Sequence, residues 1–343
     1  MILFICSQPL TVERLDIKMS LDGTALNKYT DHISKINKEL KEALSSRVAL
    51  IEDIGRHTLL GHGKRLRPLF FVLSCQLCNY QGKDAYYLST IFEYIHAASL
   101  LHDDVVDNAD IRRNKPSANS SWGNPAAVLE GDFLYSIASH IAVSSNNLLF
   151  LRRLTETTKQ MAEGQMMELA HTDDWETSKE AYMEIITTKT AVLISAACAC
   201  GAIITGAEKK AEQCLGEFGL NMGIAFQLID DLLDYISSEQ VFGKPVGKDL
   251  KEGKITLPLI FTLKKIEASE RERLVALFKD RRASDKDYDT LIHLVRREGA
   301  VDQIRDEARL YADRAAGCLS LFPDSRAKAN LLELNKFMVE REY

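Results

Sequence analysis

Six aspartates carry the chemistry that this sequence can do. Asp103, Asp104 and Asp107 lie in SLLHDDVVDNAD, and Asp230, Asp231 and Asp234 lie in FQLIDDLLDY. Each set reads Asp-Asp-x-x-Asp and follows an apolar run, where carboxylates are rare unless something compensates them. On a helix the first and last aspartate of each set share one face, a turn apart. Like charges at that spacing repel, so two such clusters imply cations between them. Hard carboxylate oxygens select Mg²⁺ or Ca²⁺. Mg²⁺ takes one or two carboxylates and completes its shell with water and substrate phosphate. The ligand spacing of a calcium-binding EF-hand is absent.

Three basic segments accompany the acids. GHGKRLRP brings Lys64, Arg65 and Arg67 together ahead of a helix. Residues 108–124 follow the first acidic set and carry Arg112, Arg113 and Lys115. Residues 237–254 follow the second and carry Lys244, Lys248, Asp249 and Lys254. Charged loops beside a rigid scaffold are where function concentrates. Arginine offers phosphate a fork of donors, and lysine a point charge. Carboxylates, a divalent cation and cationic loops describe a diphosphate held through metal bridges. Such a site can neutralise a departing pyrophosphate and lower the barrier to breaking a carbon–oxygen bond. Its other half must be apolar, to shield a carbocation from water. The runs leading into each acidic set supply such walls. GxSxG, HExxH, a Walker A sequence and a dinucleotide-binding GxGxxG are missing.

Glycine (18) and proline (7) are scarce, which favours long helices. Periodicity predicts them near 24–60, 66–80, 84–107, 125–145, 148–170, 178–205, 208–236, 255–267, 269–281, 287–297, 300–321 and 324–341. In the first, Ile33, Ile36, Leu40, Leu44 and Val48 form one stripe. No stretch alternates convincingly as a strand. No linker or charge block marks a boundary, so one all-α domain is expected over 21–343, with residues 1–20 an appendage. A net charge of −6 argues against a nucleic-acid partner. No apolar run approaches the roughly 20 residues of a membrane-spanning helix, and MILFIC is too short for a signal-peptide core. Seven cysteines, an odd and scattered set, suit reduced thiols in a cytoplasm. Cys75 and Cys78 form a CxxC, but i and i+3 on an apolar helix face the core, and no second pair completes a zinc set.

Taken together, these segments resemble the trans-type polyprenyl diphosphate synthases, the all-α head-to-tail prenyltransferases. The matching segments are GKRLRP (63–68), EYIHAASLLHDDVVD (93–107), IRRNKPSAN (111–119), AVLEGDFLYS (127–136), AEGQMMEL (162–169), TKTAVL (188–193), FQLIDDLLDY (226–235) and GKPVGKDLKEGKITLPL (243–259). They occur in family order and span residues 24–343, far more specific than one acidic motif. The resemblance implies an isoprenoid synthase-type helical bundle around a deep central cavity. It implies that Asp103, Asp104 and Asp107, with Asp230 and Asp234, hold Mg²⁺ ions bridging an allylic diphosphate. Arg112, Lys189 and Lys244 would contact that diphosphate, with Lys254 nearby. Lys64, Arg67, His96 and Arg113 would bind the diphosphate of isopentenyl diphosphate, and Thr190 and Gln227 would flank the developing allylic cation. A homodimer is implied as well. Asn114 stands where the family commonly has glycine, a replacement that tolerates left-handed backbone.

Ser99 and Ala98 lie four and five residues before Asp103, about one turn below the metal-bearing face. Short-chain members of the family place a bulky residue there. Small residues would leave a tunnel open, so a long product near octaprenyl is expected, with Ile95 and Phe92 as a later floor. A bulky residue at Ala98 would then shorten the product. Three other readings stay open: a farnesyl or geranylgeranyl diphosphate synthase, a class I terpene cyclase, and a non-catalytic subunit of a heterodimeric synthase. Arg65 has an alternative as the partner of a carboxylate. His102 is expected to be structural, since such metal sites use oxygen.

Overall fold

The computed structural model describes residues 27–59, 63–112, 115–236, 247–279 and 282–340. The expected appendage at 1–20, together with Arg113, Asn114 and Lys244, lies outside them. The first predicted helix is two, α1 (Thr30–Ala43) and α2 (Ala49–Leu59). Ser46 causes the break: its hydroxyl accepts the Val48 N–H at 3.2 Å, and its own N–H goes to Glu52 Oε1 at 3.2 Å. Serine offers the backbone such local alternatives to the helical ladder. The apolar stripe therefore ends at Leu44, and Val48 is exposed.

The other helices follow the predicted periodicity closely. They are α3 (Leu66–Leu77), α4 (Ala85–Val106), α5 (Ala118–Trp122), α6 (Asn124–Ser144), α7 (Leu148–Ala170), α8 (Lys179–Ile186), α9 (Val192–Thr205) and α10 (Lys209–Ile236), then α11 (Lys248–Lys251), α12 (Leu257–Lys265), α13 (Ala268–Lys279), α14 (Asp285–Arg297), α15 (Ala300–Cys318) and α16 (Arg326–Val339). A two-residue-deep hairpin, β1 (Ile111–Arg112) with β2 (Lys115–Pro116), pairs Ile111 with Pro116 and Arg112 with Lys115. It is too short to show an alternating pattern in sequence.

α9 is apolar all round and is buried accordingly. It packs against α3, α7 and α10, while α4 lies along α6 and α10 along α15. Two apolar cores result. Phe71, Phe92 and Phe150 anchor the first, with ring centroids 5.3–6.4 Å apart. Leu228, Leu232 and Tyr235 begin the second, which α12, α14 and α15 complete. α10 runs through both, and its acidic set lies at its end in the second.

Among the described residues one continuous helical stretch, Lys179–Thr205, is long and apolar enough to cross a membrane. Its apolar window is 78% buried inside the fold, as a core helix is. Cys75 is a free, buried thiol whose pKa is pushed well up by burial and by Cys78 and Cys200, which leaves no reactive thiolate there.

Glu130 of α6 is 2% exposed, and neither carboxylate oxygen has a hydrogen-bond partner among the described residues. Burial pushes its carboxyl up to about 7. A folded-state pKa above the unfolded one means that the native protein holds the extra proton. Stability is therefore full below about 4.5, falls as the pH rises through about 7, and levels above it. Urea unfolding is expected to show a loss of up to about 3 kcal/mol between pH 5 and pH 8 that Glu130→Gln removes. An unchanged pH slope in Glu130→Gln would contradict the assignment.

Candidate active site

The first acidic set closes α4. The Ala109 N–H returns to the Asp104 carbonyl at 2.9 Å and the Asn108 N–H to Val105 at 3.4 Å, with Asn108 in left-handed backbone. This Schellman turn uses asparagine where glycine is commonest. It sends the chain directly from the acids into the hairpin, and so delivers Arg112. Arg112 Nε is 2.7 Å from both oxygens of Asp104, and its Nη2 is 2.6 Å from Oδ1. The other two acids meet cations from farther along the chain. Lys189 Nζ lies 3.8 Å from Asp103, and Lys254 Nζ lies 3.0 Å from Asp107. Burial raises the Asp103 carboxyl, Lys189 draws it down, and Glu168 and Asp107 raise it again. Burial opposes the charge of Lys254, yet Glu168, Asp249, Asp107 and Glu252 hold its pKa above the ordinary lysine range.

Lys189 and Thr190 sit in a π-helical turn, Thr187–Ala191, between α8 and α9. Such turns bulge one residue out of the ladder and recur at functional sites. Two glycines let neighbours close on it. A Cβ on Gly164 of α7 would lie 2.5 Å from the Lys189 backbone nitrogen, and one on Gly223 of α10 would lie 2.8 Å from Ala191 Cα. Lys189 turns into the site rather than to solvent, and bonds to Glu168 as well as facing Asp103.

The second acidic set divides its tasks. Asp230 lines the cavity that the first set faces. Asp231 is buried and accepts from Tyr182 Oη at 2.6 Å and Gln227 Nε2 at 2.7 Å; burial and Asp249 push its carboxyl well up. With its amide nitrogen committed there, Gln227 has its carbonyl oxygen left for other contacts. Asp234 accepts the backbone N–H groups of Lys248 (3.2 Å) and Asp249 (3.0 Å), and its own carbonyl accepts Gly247 N–H at 2.9 Å. It thereby anchors the turn that returns Asp249, Glu252 and Lys254 to the cavity.

These side chains face one cavity of about 1170 Å³, which Lys64, Arg67, His96, Arg112, Thr190 and Gln227 also line. Lys64 and Arg67 flank the N-terminus of α3. Arg65 between them turns inward to Glu93 and Asn37, so the carboxylate alternative is what the fold adopts. His57 Nε2 holds the hairpin through the Pro116 carbonyl at 2.9 Å. His102 packs against α6, its Nε2 3.2 Å from the Val128 carbonyl, and also lines the cavity. Ser99 lines the cavity. Ala98, Ile95 and Phe92 do not: all three are buried in the first core. The apolar wall descends instead past Tyr135, Met161, Ala162, Leu193 and Phe226, and Thr158 lies ten residues below Glu168 on α7, about 15 Å. Glu168, Glu252 and Tyr182 escaped the sequence reading. Glu168 could have been found four residues after Gly164, on the α7 face that meets the π turn.

Among the described residues no three Asp, Glu, His or Cys gather closely enough to hold a metal by themselves. Asp103 and Asp107 on α4, and Asp230 on α10, instead offer hard oxygens from two banks of one cavity. That suits an ion that takes one or two carboxylates and fills its shell with water and phosphate.

An all-α bundle with acids and cations at the mouth of an apolar cavity defines the isoprenoid synthase class of fold. The chain belongs to the polyprenyl synthetase family, whose model matches residues 48–295, and it is a prenyltransferase. It is 36% identical over 326 residues to the octaprenyl diphosphate synthase of Haemophilus influenzae, covering 95% of this chain and 98% of that one. It is 31% identical over 332 residues to the geranylgeranyl diphosphate synthase of Saccharolobus solfataricus, covering 94% and 99%. The crystal structure of a polyprenyl synthase from Caulobacter crescentus CB15, complexed with calcium and isoprenyl diphosphate, superposes with a TM-score of 0.89 at 35% identity, over 93% of this chain and 98% of that one.

The two ends of the second acidic set should separate experimentally. Asp230→Ala is expected to abolish prenyl transfer and to leave stability within about 0.5 kcal/mol of the parent. Asp234→Ala is expected to lose about 1–2 kcal/mol, since two backbone donors lose their acceptor. Urea unfolding and product assays on both variants check this.

Proposed function

We propose that this protein adds isopentenyl diphosphate head-to-tail to an allylic diphosphate, with farnesyl diphosphate as primer. The product is a long all-trans polyprenyl diphosphate near octaprenyl, and pyrophosphate is released. One observation carries the reading: both acidic sets, three acid-paired cations and the GKRLRP turn face a single cavity with an apolar extension.

Asp103, Asp107 and Asp230 would hold Mg²⁺, with Asp104 and Asp234 supporting them; bound there, Mg²⁺ supplies positive charge to the departing diphosphate. Arg112, Lys189 and Lys254 grip the allylic diphosphate from three sides, and Lys244 joins them from the segment after α10. As the carbon–oxygen bond breaks, the Thr190 hydroxyl and the Gln227 carbonyl oxygen face the carbon that gains positive charge. Leu193 and Phe226 keep water from it. Lys64, Arg67, His96 and Arg113 hold the second diphosphate, so that the isopentenyl double bond attacks that carbon. The proton lost from the adduct passes to the released pyrophosphate, and the chain is one isoprene unit longer.

The long product rests on Ser99 at the wall and on the length of apolar wall along α7. We assign the work to one catalytic unit over residues 21–343, in the cytoplasm and as a homodimer. Exposed apolar side chains lie along α6 and at the start of α7, among them Leu129, Val143, Leu148 and Leu149, and a second copy would cover them.

Purified protein with farnesyl diphosphate, isopentenyl diphosphate and Mg²⁺ is expected to give products near octaprenyl by mass, and none after chelation. Absence of any elongated product from the pure protein would sink the reading and favour a non-catalytic subunit. Ser99→Phe is expected to shorten the product. Ala98→Phe is expected instead to destabilise the fold by about 1–3 kcal/mol through overpacking; a shortened product from Ala98→Phe at unchanged stability would reverse the assignment of the wall.

A further inference from the structure

Arg65 is an arginine in left-handed backbone, φ 52° and ψ 35°, at the N-cap of α3. That conformation is costly for any residue with a Cβ and persists only where the surroundings enforce it. Here they do. Arg65 is 3% exposed, and its guanidinium is bonded on three sides by three separate elements. Nε donates to Asn37 Oδ1 of α1 at 2.8 Å, Nη1 donates to Glu93 Oε1 of α4 at 2.7 Å, and Nη2 donates to the Leu59 carbonyl at the end of α2. Only a planar fork of donors can satisfy three such acceptors at once.

The neighbours of this anchor are what matter. Lys64 precedes Arg65 and Arg67 follows it by two, and both line the cavity. Glu93 lies three residues before His96 on α4, on the same helical face. The buried Arg65–Glu93 pair thus ties the turn bearing Lys64 and Arg67 to the helix bearing His96. We infer that Arg65 and Glu93 are positioning residues for isopentenyl diphosphate: they hold a left-handed turn that aims Lys64 and Arg67, with His96, at one diphosphate. The inference rests on the assignment of those three residues to that substrate. Arg65 and Glu93 also line the cavity, but the Arg65 guanidinium donates to Asn37, Glu93 and Leu59, and a carboxylate has no donor to offer a diphosphate, so both act through their neighbours.

Steady-state kinetics with each substrate varied in turn provide the test. Arg65→Lys keeps the charge but not the fork, and Glu93→Gln keeps the shape but not the charge. Each is expected to raise KM for isopentenyl diphosphate about tenfold, the loss of a hydrogen bond to a charged group, and to leave KM for the allylic diphosphate within threefold. Arg65→Gly relieves the backbone cost yet removes all three bonds, and it is expected to behave like Arg65→Lys. Asn37→Ala lies outside the cavity and removes one bond only. It is expected to give a smaller rise in the same KM, and it reads the same split should either buried-pair variant fail to fold. Equal rises in both KM values, an unchanged KM for isopentenyl diphosphate, or full recovery in Arg65→Gly would overturn the inference. Failure of the parent protein to elongate with isopentenyl diphosphate would instead overturn the underlying assignment.

Discussion

The site depends on buried and half-buried carboxylates that meet cations delivered by distant parts of the chain. Asp104 takes Arg112 from the hairpin, Asp103 takes Lys189 from the π turn, and Asp107 takes Lys254 from the segment after α10. An unmatched charge in such surroundings would cost several kcal/mol. The three pairs therefore do more than decorate the cavity. They tie a hairpin, a helix distortion and a returning loop to the end of α4.

The sequence made the helices and the identity of the charged residues legible, because long apolar periodicity and rare acids in apolar runs are local signals. Finer placement was not legible. Successive residues on a helix point about 100° apart, so Ala98 and Ser99 could not both face one cavity. Which of them did was settled by packing against the first core. The same angular step separates Asp230 from Asp231: both reach the cavity lining, but Asp231 is the one that Tyr182 and Gln227 bond. The interruption at Ser46 and the turn after Asp107 depend on single side-chain or left-handed backbone choices inside otherwise regular patterns. Lys244 and Arg113 lie outside the described residues, so their placement rests on the sequence alone.

The π turn illustrates how remote residues determine a site. TTKTA carries nothing unusual in its own composition. Its distortion is accommodated because Gly164 and Gly223, on two different helices, leave room for the backbone on either side. Any side chain at those positions would push α7 or α10 away, and with α7 would go Glu168, the partner of Lys189. Glycine acts here through the absence of volume, not through backbone freedom.

The ion pairs lining the cavity have a thermodynamic consequence. Arg112, Lys189 and Lys254 each have acid partners within the fold. An anion taking one of these cations would have to replace a carboxylate, and a cation taking one of these carboxylates would have to replace an arginine or a lysine. Ligands of opposite charge entering together would each relieve the other's cost. Their binding free energies would then be coupled, and by linkage the coupling would be reciprocal.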